Sequence, residues 1–269
     1  MRIANVGRAF FALTMIGIGV LGLVRGDFTA VWDPVPKDLP ARDALAYLCA
    51  FISIACGIGL LWRRTAVLAA RVLLFYSLLW FLLLRVPSVL FSFAIDSWWS
   101  ACKTAAMTAG AWIIYVGSAD DWDKQRLGFI AGDNGLRIAR ILYGLALIPF
   151  GIAHFLYLKQ TAVLVPGWLP SPVFWAYFTG GAYIAAGAAI AIGVLAWLAA
   201  LLSALETGLI TLLVWVPMAM AGQPSAFQWG EIVVSVALTA AAWVVAGSYR
   251  RVQELSLSAA LTPRDEPSS

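Results

Sequence analysis

The chain has 269 residues, of which 62% are hydrophobic and only 12% are charged. A soluble domain carries roughly a quarter charged residues, so this composition excludes a water-exposed globular enzyme and predicts an integral membrane protein whose partner is a lipid bilayer. The formal net charge of +4 does not indicate nucleic-acid binding, because the basic residues stand at the ends of apolar runs and form no patch with interleaved aromatics.

Four apolar runs fill the first part of the chain, each close to the length of a membrane span. A span needs about 20 residues, and in lipid a helix satisfies every backbone polar group within its own segment. The runs are Ala9–Val24, Ala44–Trp62, Thr65–Val86 and Trp98–Val116. We therefore predict that residues 1–118 form a first four-helix unit.

After a cytoplasmic linker predicted at residues 119–136, the second part of the chain repeats this pattern. Its apolar runs are Ile141–Leu158, Pro172–Ile192, Val194–Met218 and Gly230–Gly247. We predict a second four-helix unit at residues 137–249. A flexible cytoplasmic tail is predicted at residues 250–269, where prolines and polar residues end the apolar pattern.

An internal repeat relates the two predicted units. The Val-Pro-x-x-Leu-Pro segment at residues 35–40 recurs at residues 165–170, 130 positions later, and the first helix of each unit is related by 132 positions. The apolar stretch at residues 173–218 is nearly unbroken, so hydropathy alone does not place its turn. The arginine pair at residues 63–64 of the first unit corresponds to Gly193 and Val194, and the turn is predicted there.

Basic residues are distributed unevenly over the predicted loops, and this predicts the orientation. With the N-terminus inside, the cytoplasmic side holds Arg2, Arg8, Arg63, Arg64, Lys124, Arg126, Arg137, Arg140, Arg250 and Arg251. The outer loops hold only Arg25, Lys37, Arg42, Arg85 and Lys159. We predict a multi-pass protein of the cell inner (plasma) membrane with both termini cytoplasmic. The expected fold is all-α, with eight transmembrane helices in two parallel-repeat four-helix bundles.

Three short motifs of the second unit carry a resemblance to a known family. They are Gly151-Ile152-Ala153-His154-Phe155, the Val-Pro-Gly-Trp-Leu-Pro segment at 165–170, and Thr179-Gly180 followed by Gly187. With a fainter version in the first unit, they resemble the DoxX family of small four-helix membrane proteins. The resemblance implies a membrane redox context, because members are associated with quinol-oxidising complexes and with thiol-redox partners.

The chain also departs from this family pattern. The acidic residue that the family commonly has a few positions after Thr-Gly is Tyr183 here and Ser53 in the first unit. The first unit has Gly22 where the second has His154. Any chemistry that the resemblance implies is therefore expected in the second unit.

The candidate ligand-binding residues are His154, Tyr183, Glu206, Tyr177 and Trp168. Ionisable groups at membrane depth cost about 2.5–3.5 kcal/mol on insertion scales and are functional candidates. His154, the only histidine, suits a hydrogen bond to a quinone carbonyl or a proton relay, or alternatively a structural bond to a loop carbonyl. Glu206 needs a proton or a partner such as Tyr183 or Tyr177, and a helix–helix hydrogen bond is its structural alternative. Trp168 anchors a loop that acts as a pocket lid or as a simple connector.

Three further features concern packing. The sixth predicted span is dense in small residues such as Gly180 and Gly187, which predicts close approach to a neighbouring helix. Arg71 is predicted to extend to the inner membrane surface. Arg85 and Asp96 flank the outer loop between the third and fourth spans, where an interfacial ion pair is one interpretation.

Absent motifs narrow the choice of function. The chain has no P-loop, Rossmann, HExxH, GxSxG or CxxCH motif, no metal-type cysteine spacing, and too few histidines for bis-histidine haem ligation. An autonomous enzyme is the least expected class. The leading hypothesis is an accessory or small-molecule-binding subunit of a membrane redox system, with quinone as ligand and another membrane redox protein as partner.

Two alternatives to this hypothesis stay open. A non-catalytic assembly or scaffold factor predicts stable co-purification with another membrane protein and tolerance of His154→Ala. A small-solute transporter would use Glu206 as a coupling carboxylate and needs an aqueous cavity.

Overall fold

A computed structural model describes residues 2–92, 94–222 and 225–261, and in these ranges the protein is helical with short connections and no strand. The helices are α1 (Arg2–Arg25), α2 (Arg42–Leu61), α3 (Ala66–Trp80), α4 (Val86–Phe91), α5 (Ile95–Ser118), α6 (Asp121–Arg126), α7 (Gly128–Ala131), α8 (Asp133–Leu156), α9 (Leu158–Leu164), α10 (Pro172–Ile192), α11 (Ala196–Ile210), α12 (Val216–Met220) and α13 (Ala226–Leu261). Two π-helical turns, Phe81–Arg85 and Thr211–Trp215, continue α3 into α4 and α11 into α12.

Within the described ranges, seven helical segments are long and apolar enough to cross a membrane. They are Val6–Arg25, Arg42–Leu61, Ala66–Phe91, Asp133–Leu156, Pro172–Ile192, Ala196–Met220 and Gln228–Tyr249. This confirms the prediction of an all-helical, multi-pass membrane protein. The predicted fourth span, Trp98–Val116, lies within α5, which is long enough but less apolar, so apolarity alone supports seven spans where eight were predicted.

The low apolarity of α5 follows from its position in the middle of the bundle. Every residue from Thr104 to Tyr115 is buried, and α5 contacts α3, α8 and α13. A helix enclosed by protein has no need of a lipid-facing apolar surface. The Thr104 and Thr108 hydroxyls are satisfied inside the bundle, since each donates to the carbonyl one turn earlier, at 3.3 Å and 2.8 Å.

The long helices pack in a closed order. Each contacts the next long helix along the chain, in the sequence α1, α2, α3, α5, α8, α10, α11 and α13, and α13 returns to contact α1. α5 and α13 also contact each other. The N-terminal half of the chain therefore meets the C-terminal half through α5 against α8 and α13, and through α1 against α13.

The helices α8 and α10 approach closely at two levels where glycine faces glycine. A Cβ atom on Gly144 would lie 2.7 Å from the Gly187 carbonyl oxygen, and one on Gly151 would lie 2.3 Å from that of Gly180. Contacts this short exclude any side chain and bring the two backbones together. The predicted close packing of the sixth span is confirmed, with α8 as its partner.

Left-handed backbone conformations mark both ends of α10. Ser171 precedes the helix at φ 54°, and Gly193 follows it at φ 82°. Glycine adopts positive φ at little cost, which suits a residue that ends one helix and starts the turn to the next. The turn predicted at Gly193 and Val194 is therefore confirmed.

At one end of the bundle, the segment after α5 is fastened to α3. The Arg71 guanidinium donates to both carboxylate oxygens of Asp123, at 2.9 Å and 3.0 Å, and Tyr115 donates to the same carboxylate at 2.9 Å. Asp120 and Asp123 form a capping box at the start of α6. Arg71 thus binds a buried carboxylate of the segment after α5, and its extension to the inner membrane surface stays a prediction.

Replacing Asp123 by Asn is expected to lower the free energy of unfolding by about 1–2 kcal/mol, because Arg71 loses a charged partner. Burial tends to raise the pKa of Asp123, but the hydrogen bonds from Arg71 and Tyr115 outweigh it and hold the pKa below its usual value. A carboxylate with a lowered pKa stabilises the fold above the unfolded pKa of about 3.9 and loses this effect as pH falls. The measurement is the thermal midpoint in detergent across pH.

The difference between wild type and Asp123→Asn should be full above about pH 5 and should shrink below about pH 4. Asp121→Asn is the matched control, because Asp121 is exposed on the same short helix. A difference that does not change with pH would contradict the role assigned to the Asp123 charge.

At the opposite end of the bundle, Arg85 holds the loop between α1 and α2. Its side chain is 1% exposed. It donates to the carbonyl oxygen of Pro34 at 2.8 Å, to that of Trp32, and to the Thr104 hydroxyl at 3.2 Å. Asp96 instead accepts a hydrogen bond from Tyr157, at 3.0 Å. The two residues therefore have other partners than the ion pair considered from the sequence.

Two boundaries differ from the predicted ones. The helix α8 begins at Asp133, inside the predicted linker, because α6 and α7 already turn the chain within residues 121–131. The helix α13 continues to Leu261, beyond the predicted start of the tail at residue 250. The last part of that tail, residues 262–269, lies outside the described residues.

Candidate functional site

A row of polar side chains lies between α8, α10 and α11. We name it the polar ladder, and it consists of Tyr143, Ser203, Glu206, Tyr183, Thr207 and His154. From Tyr143 to His154 it follows α8 for eleven residues, or about 16 Å at 1.5 Å per residue. A polar row of this length inside apolar helices is a candidate site for a ligand or a proton.

The two tyrosines of the ladder are hydrogen-bonded to hydroxyls of α11. The Tyr143 hydroxyl lies 3.2 Å from Ser203 Oγ, and the Tyr183 hydroxyl lies 3.3 Å from Thr207 Oγ1. Ser203 and Thr207 already donate their protons to backbone carbonyls of α11. Both tyrosines therefore act as donors, and their own oxygens remain able to accept.

His154 stands at the end of the ladder near the end of α8. Its Nδ1 lies 2.7 Å from the Phe150 carbonyl oxygen, and its ring centroid lies 5.4 Å from that of Tyr183. In the neutral imidazole this geometry puts the proton on Nδ1, so Nε2 can accept a hydrogen bond or a proton. Because Gly180 has no side chain, the backbone of α10 can approach His154 closely. A Cβ atom on Gly180 would lie 2.9 Å from the His154 Cβ.

Glu206 is the unsatisfied member of the ladder. It is partly buried and lies within electrostatic range of Tyr143 and Tyr183. Its Oε1 is buried and makes no hydrogen bond to the described part of the chain. A buried polar atom without a partner is rare in native proteins and is explained by a ligand, a water or a proton-transfer role.

The other two predicted site residues lie away from the ladder. Tyr177 is half exposed, and its ring contacts that of Phe155 at 5.6 Å. Trp168 is exposed in the loop between α9 and α10. The structure therefore brings His154, Tyr183 and Glu206 together and leaves Tyr177 and Trp168 at the surface.

An apolar cavity of about 190 Å³ lies where the two halves of the chain meet. Its walls come from α4, the π-helical turn before it, α5 and α8, and Arg85 is the charged residue among them. Leu142, Leu145 and Pro149 line it from α8, and none of its lining residues belongs to the ladder. Phe150 of α8 contacts Trp99 of α5 and Tyr183 of α10.

Sequence reasoning missed Tyr143, Ser203 and Thr207. Hydroxyl residues are common in membrane helices, so their types alone do not indicate a site. Their spacing carries a weak signal, because Ser203 and Thr207 are four residues apart and share one face of α11 with Glu206. Within the described residues, no three His, Cys, Asp or Glu side chains converge as metal ligands would.

None of the protein-family models, curated proteins or solved structures compared with this chain matches it.

Proposed function

We propose that this is a DoxX-like membrane protein of two tandem four-helix units with eight spans. In this proposal the second unit binds a quinone, or a similar lipid-soluble molecule, at the polar ladder as part of a membrane redox system. The redox context comes from the resemblance of the motifs around His154 and Gly180 to the DoxX family. The ligand site comes from the geometry of the ladder.

The bounds of the secondary-structure elements support the tandem arrangement. The helix α3, its π-helical turn and the start of α4 recur 130 residues later as α11, Thr211–Trp215 and α12. The left-handed residue Ala41 before α2 recurs as Ser171 before α10 at the same spacing. Insertions of a π-helical turn are rare, so a shared position indicates common local architecture.

The course of α5 supports the eighth span. Its 24 residues extend about 36 Å, which is enough to cross a hydrocarbon core. Arg71, near the start of α3, binds the segment that follows α5, whereas Arg85, beyond the end of α3, binds Thr104 in the first half of α5. The two helices therefore run antiparallel over the same height.

Glu206 carries the proposal of a ligand. Its buried Oε1 has no partner in the described part of the chain, and His154 Nε2 is left free to accept a proton at the end of the ladder. A quinone needs hydrogen-bonding groups for its ring oxygens and an apolar path for its tail. The ladder supplies the first, and the exposed apolar side chains of α10 and α11, such as Phe178, Leu202 and Leu205, supply the second.

We expect protein extracted in mild detergent to carry close to one quinone per chain, measured by organic extraction, absorbance and mass spectrometry. In the double variant His154→Ala, Glu206→Gln the quinone content should fall about tenfold or more, as the loss of one hydrogen bond to a charged group would produce. Glu206→Gln retains the side-chain volume, whereas His154→Ala removes a ring that packs against Tyr183. The thermal midpoint of the double variant is therefore measured as well, so that a loss of quinone can be separated from a loss of folding.

Glu231→Gln is the matched control, because Glu231 is a second partly buried acidic residue of a membrane-spanning helix and lies outside the ladder. It should keep its quinone. Trace quinone at the same level in wild type and double variant would overturn the site, and partner identification by co-purification would then test the scaffold alternative. An aqueous path through the bundle would favour transport instead.

A further inference from the structure

A small cavity lies where the loop between α1 and α2 folds back onto these two helices. Its volume is about 10 Å³, and its walls include Gly22, Thr29, Trp32, Cys49 and Ser53. A single water molecule needs roughly 10–15 Å³ of such space. The cavity therefore has room for one water and for no larger ligand.

Two residues that line this cavity carry buried polar atoms that form no hydrogen bond to other described residues. The atoms are Thr29 Oγ1 and Trp32 Nε1. Thr29 and Trp32 are each 2% exposed and line the cavity. Native proteins satisfy nearly all buried polar groups, so two such atoms on residues around one small cavity indicate a small polar ligand.

We propose that this cavity binds one water molecule, which joins the loop to α2. The water accepts a hydrogen bond from the Trp32 indole N–H, exchanges a hydrogen bond with the Thr29 hydroxyl, and donates to the Ser53 hydroxyl oxygen, which also lines the cavity. The Ser53 hydroxyl donates its own proton to the Cys49 carbonyl oxygen, so its oxygen can accept. Three partners are typical of a buried structural water.

The sequence explains why the cavity exists in this half of the chain. Gly22 stands where the C-terminal half has His154, 132 residues later, and Ser53 stands where it has Tyr183, 130 residues later. The two rings that contact each other in the C-terminal half are thus replaced by a hydrogen atom and a small hydroxymethyl group. The space left between them is the water site.

Thr29→Val tests the proposal, because valine keeps the shape of threonine and removes only Oγ1. With a water bound, the Thr29 hydroxyl forms a hydrogen bond that stabilises the fold. The variant loses this bond and should lower the thermal midpoint in detergent by about 2–4 °C. In a dry cavity the unsatisfied hydroxyl would be unfavourable, and Thr29→Val would raise the midpoint. That rise would overturn the proposal.

Thr108→Val is the matched control, since Thr108 is a buried threonine whose hydroxyl is already bonded to the Thr104 carbonyl oxygen at 2.8 Å. Its effect calibrates the loss of a satisfied hydroxyl in this protein, and Thr29→Val should change the midpoint in the same direction. An experimental structure should show one density peak about 2.7–3.2 Å from Thr29 Oγ1 and Trp32 Nε1. A well-ordered site without that peak would also overturn the proposal.

Discussion

Replacing Arg85 by methionine is expected to lower the free energy of unfolding by about 1–3 kcal/mol. The side chain is 1% exposed. Its removal leaves the Pro34 carbonyl oxygen without this donor and leaves the Trp32 carbonyl oxygen with the Trp80 indole N–H as its other donor, at 3.2 Å. Hydrogen bonds to a charged group contribute roughly 1.5–3 kcal/mol, and methionine preserves the apolar length of the arginine stem, so the effect isolates the guanidinium. The thermal midpoint in detergent should fall by about 2–10 °C.

The loop between α1 and α2 should be the part that loosens. Trp32 is buried against Tyr76 and Trp80, at ring-centroid distances of 5.0 Å and 5.7 Å, and in Arg85→Met we expect it to become accessible to an aqueous quencher of tryptophan fluorescence. Arg64→Met is the control, because Arg64 is exposed in the turn before α3. A midpoint within 1 °C of wild type (roughly 0.3–0.5 kcal/mol) would show that other contacts hold the loop.

The identity of Arg85 as a loop anchor could not be inferred from its sequence position. A basic residue at the end of an apolar run is typical of a side chain that reaches water, which is the basis of the positive-inside rule. Arg85 instead lies in a π-helical turn and binds backbone carbonyls of a loop more than fifty positions earlier. Such partners depend on how a loop folds back, and loop conformation has no periodic signal.

The helices themselves were predictable to the extent that lipid contact shapes their composition. Seven of the predicted spans carry enough apolar surface to be recognised, and the internal repeat located the turn at Gly193 inside an unbroken apolar stretch. The fourth predicted span is the exception because α5 is enclosed by α3, α8 and α13. Its sequence reflects packing against protein, where alanine, threonine and glycine replace leucine and phenylalanine.

The candidate site was predictable only in part, since residue type and depth do not give the rotation of a helix. His154 faces Tyr183, and Tyr183 lies within electrostatic range of Glu206. Tyr177 has a similar chemistry, yet it lies six residues before Tyr183 on α10, and this spacing turns it to another face. Tyr143 was missed for the complementary reason, because a tyrosine near the end of an apolar run is typical of the membrane interface.

Replacing Gly151 by alanine is expected to destabilise the contact between α8 and α10 by about 3 kcal/mol, the upper part of the usual range for overpacking. The added Cβ would lie 2.3 Å from the backbone oxygen of Gly180 and 2.6 Å from the Ile184 side chain. A backbone atom cannot rotate away, so the helices must separate. The better helix propensity of alanine offsets at most about 1 kcal/mol of this loss. The thermal midpoint should therefore fall by about 5–10 °C.

Gly181→Ala is the matched control on the same pair of helices, because nothing lies within 4 Å of a Cβ atom at that position. It gains helix propensity without a clash and should leave the midpoint unchanged or slightly raised.

Gly180→Ala should be intermediate. The Phe155 ring, 2.7 Å from an added Cβ, can rotate away, whereas the His154 Cβ at 2.9 Å and the Gly151 carbonyl oxygen at 3.0 Å move only with the backbone. The N-terminal half supports this order, since Gly19 there packs against Ala50, which occupies the position equivalent to Gly180. Glycine is therefore required on α1 and α8 at this level, whereas alanine is accepted on α2 and expected to be tolerated on α10.

If Gly151→Ala proved as mild as Gly181→Ala, the two helices would lie farther apart than this packing requires. The contact of His154 with Tyr183 would then be weaker too.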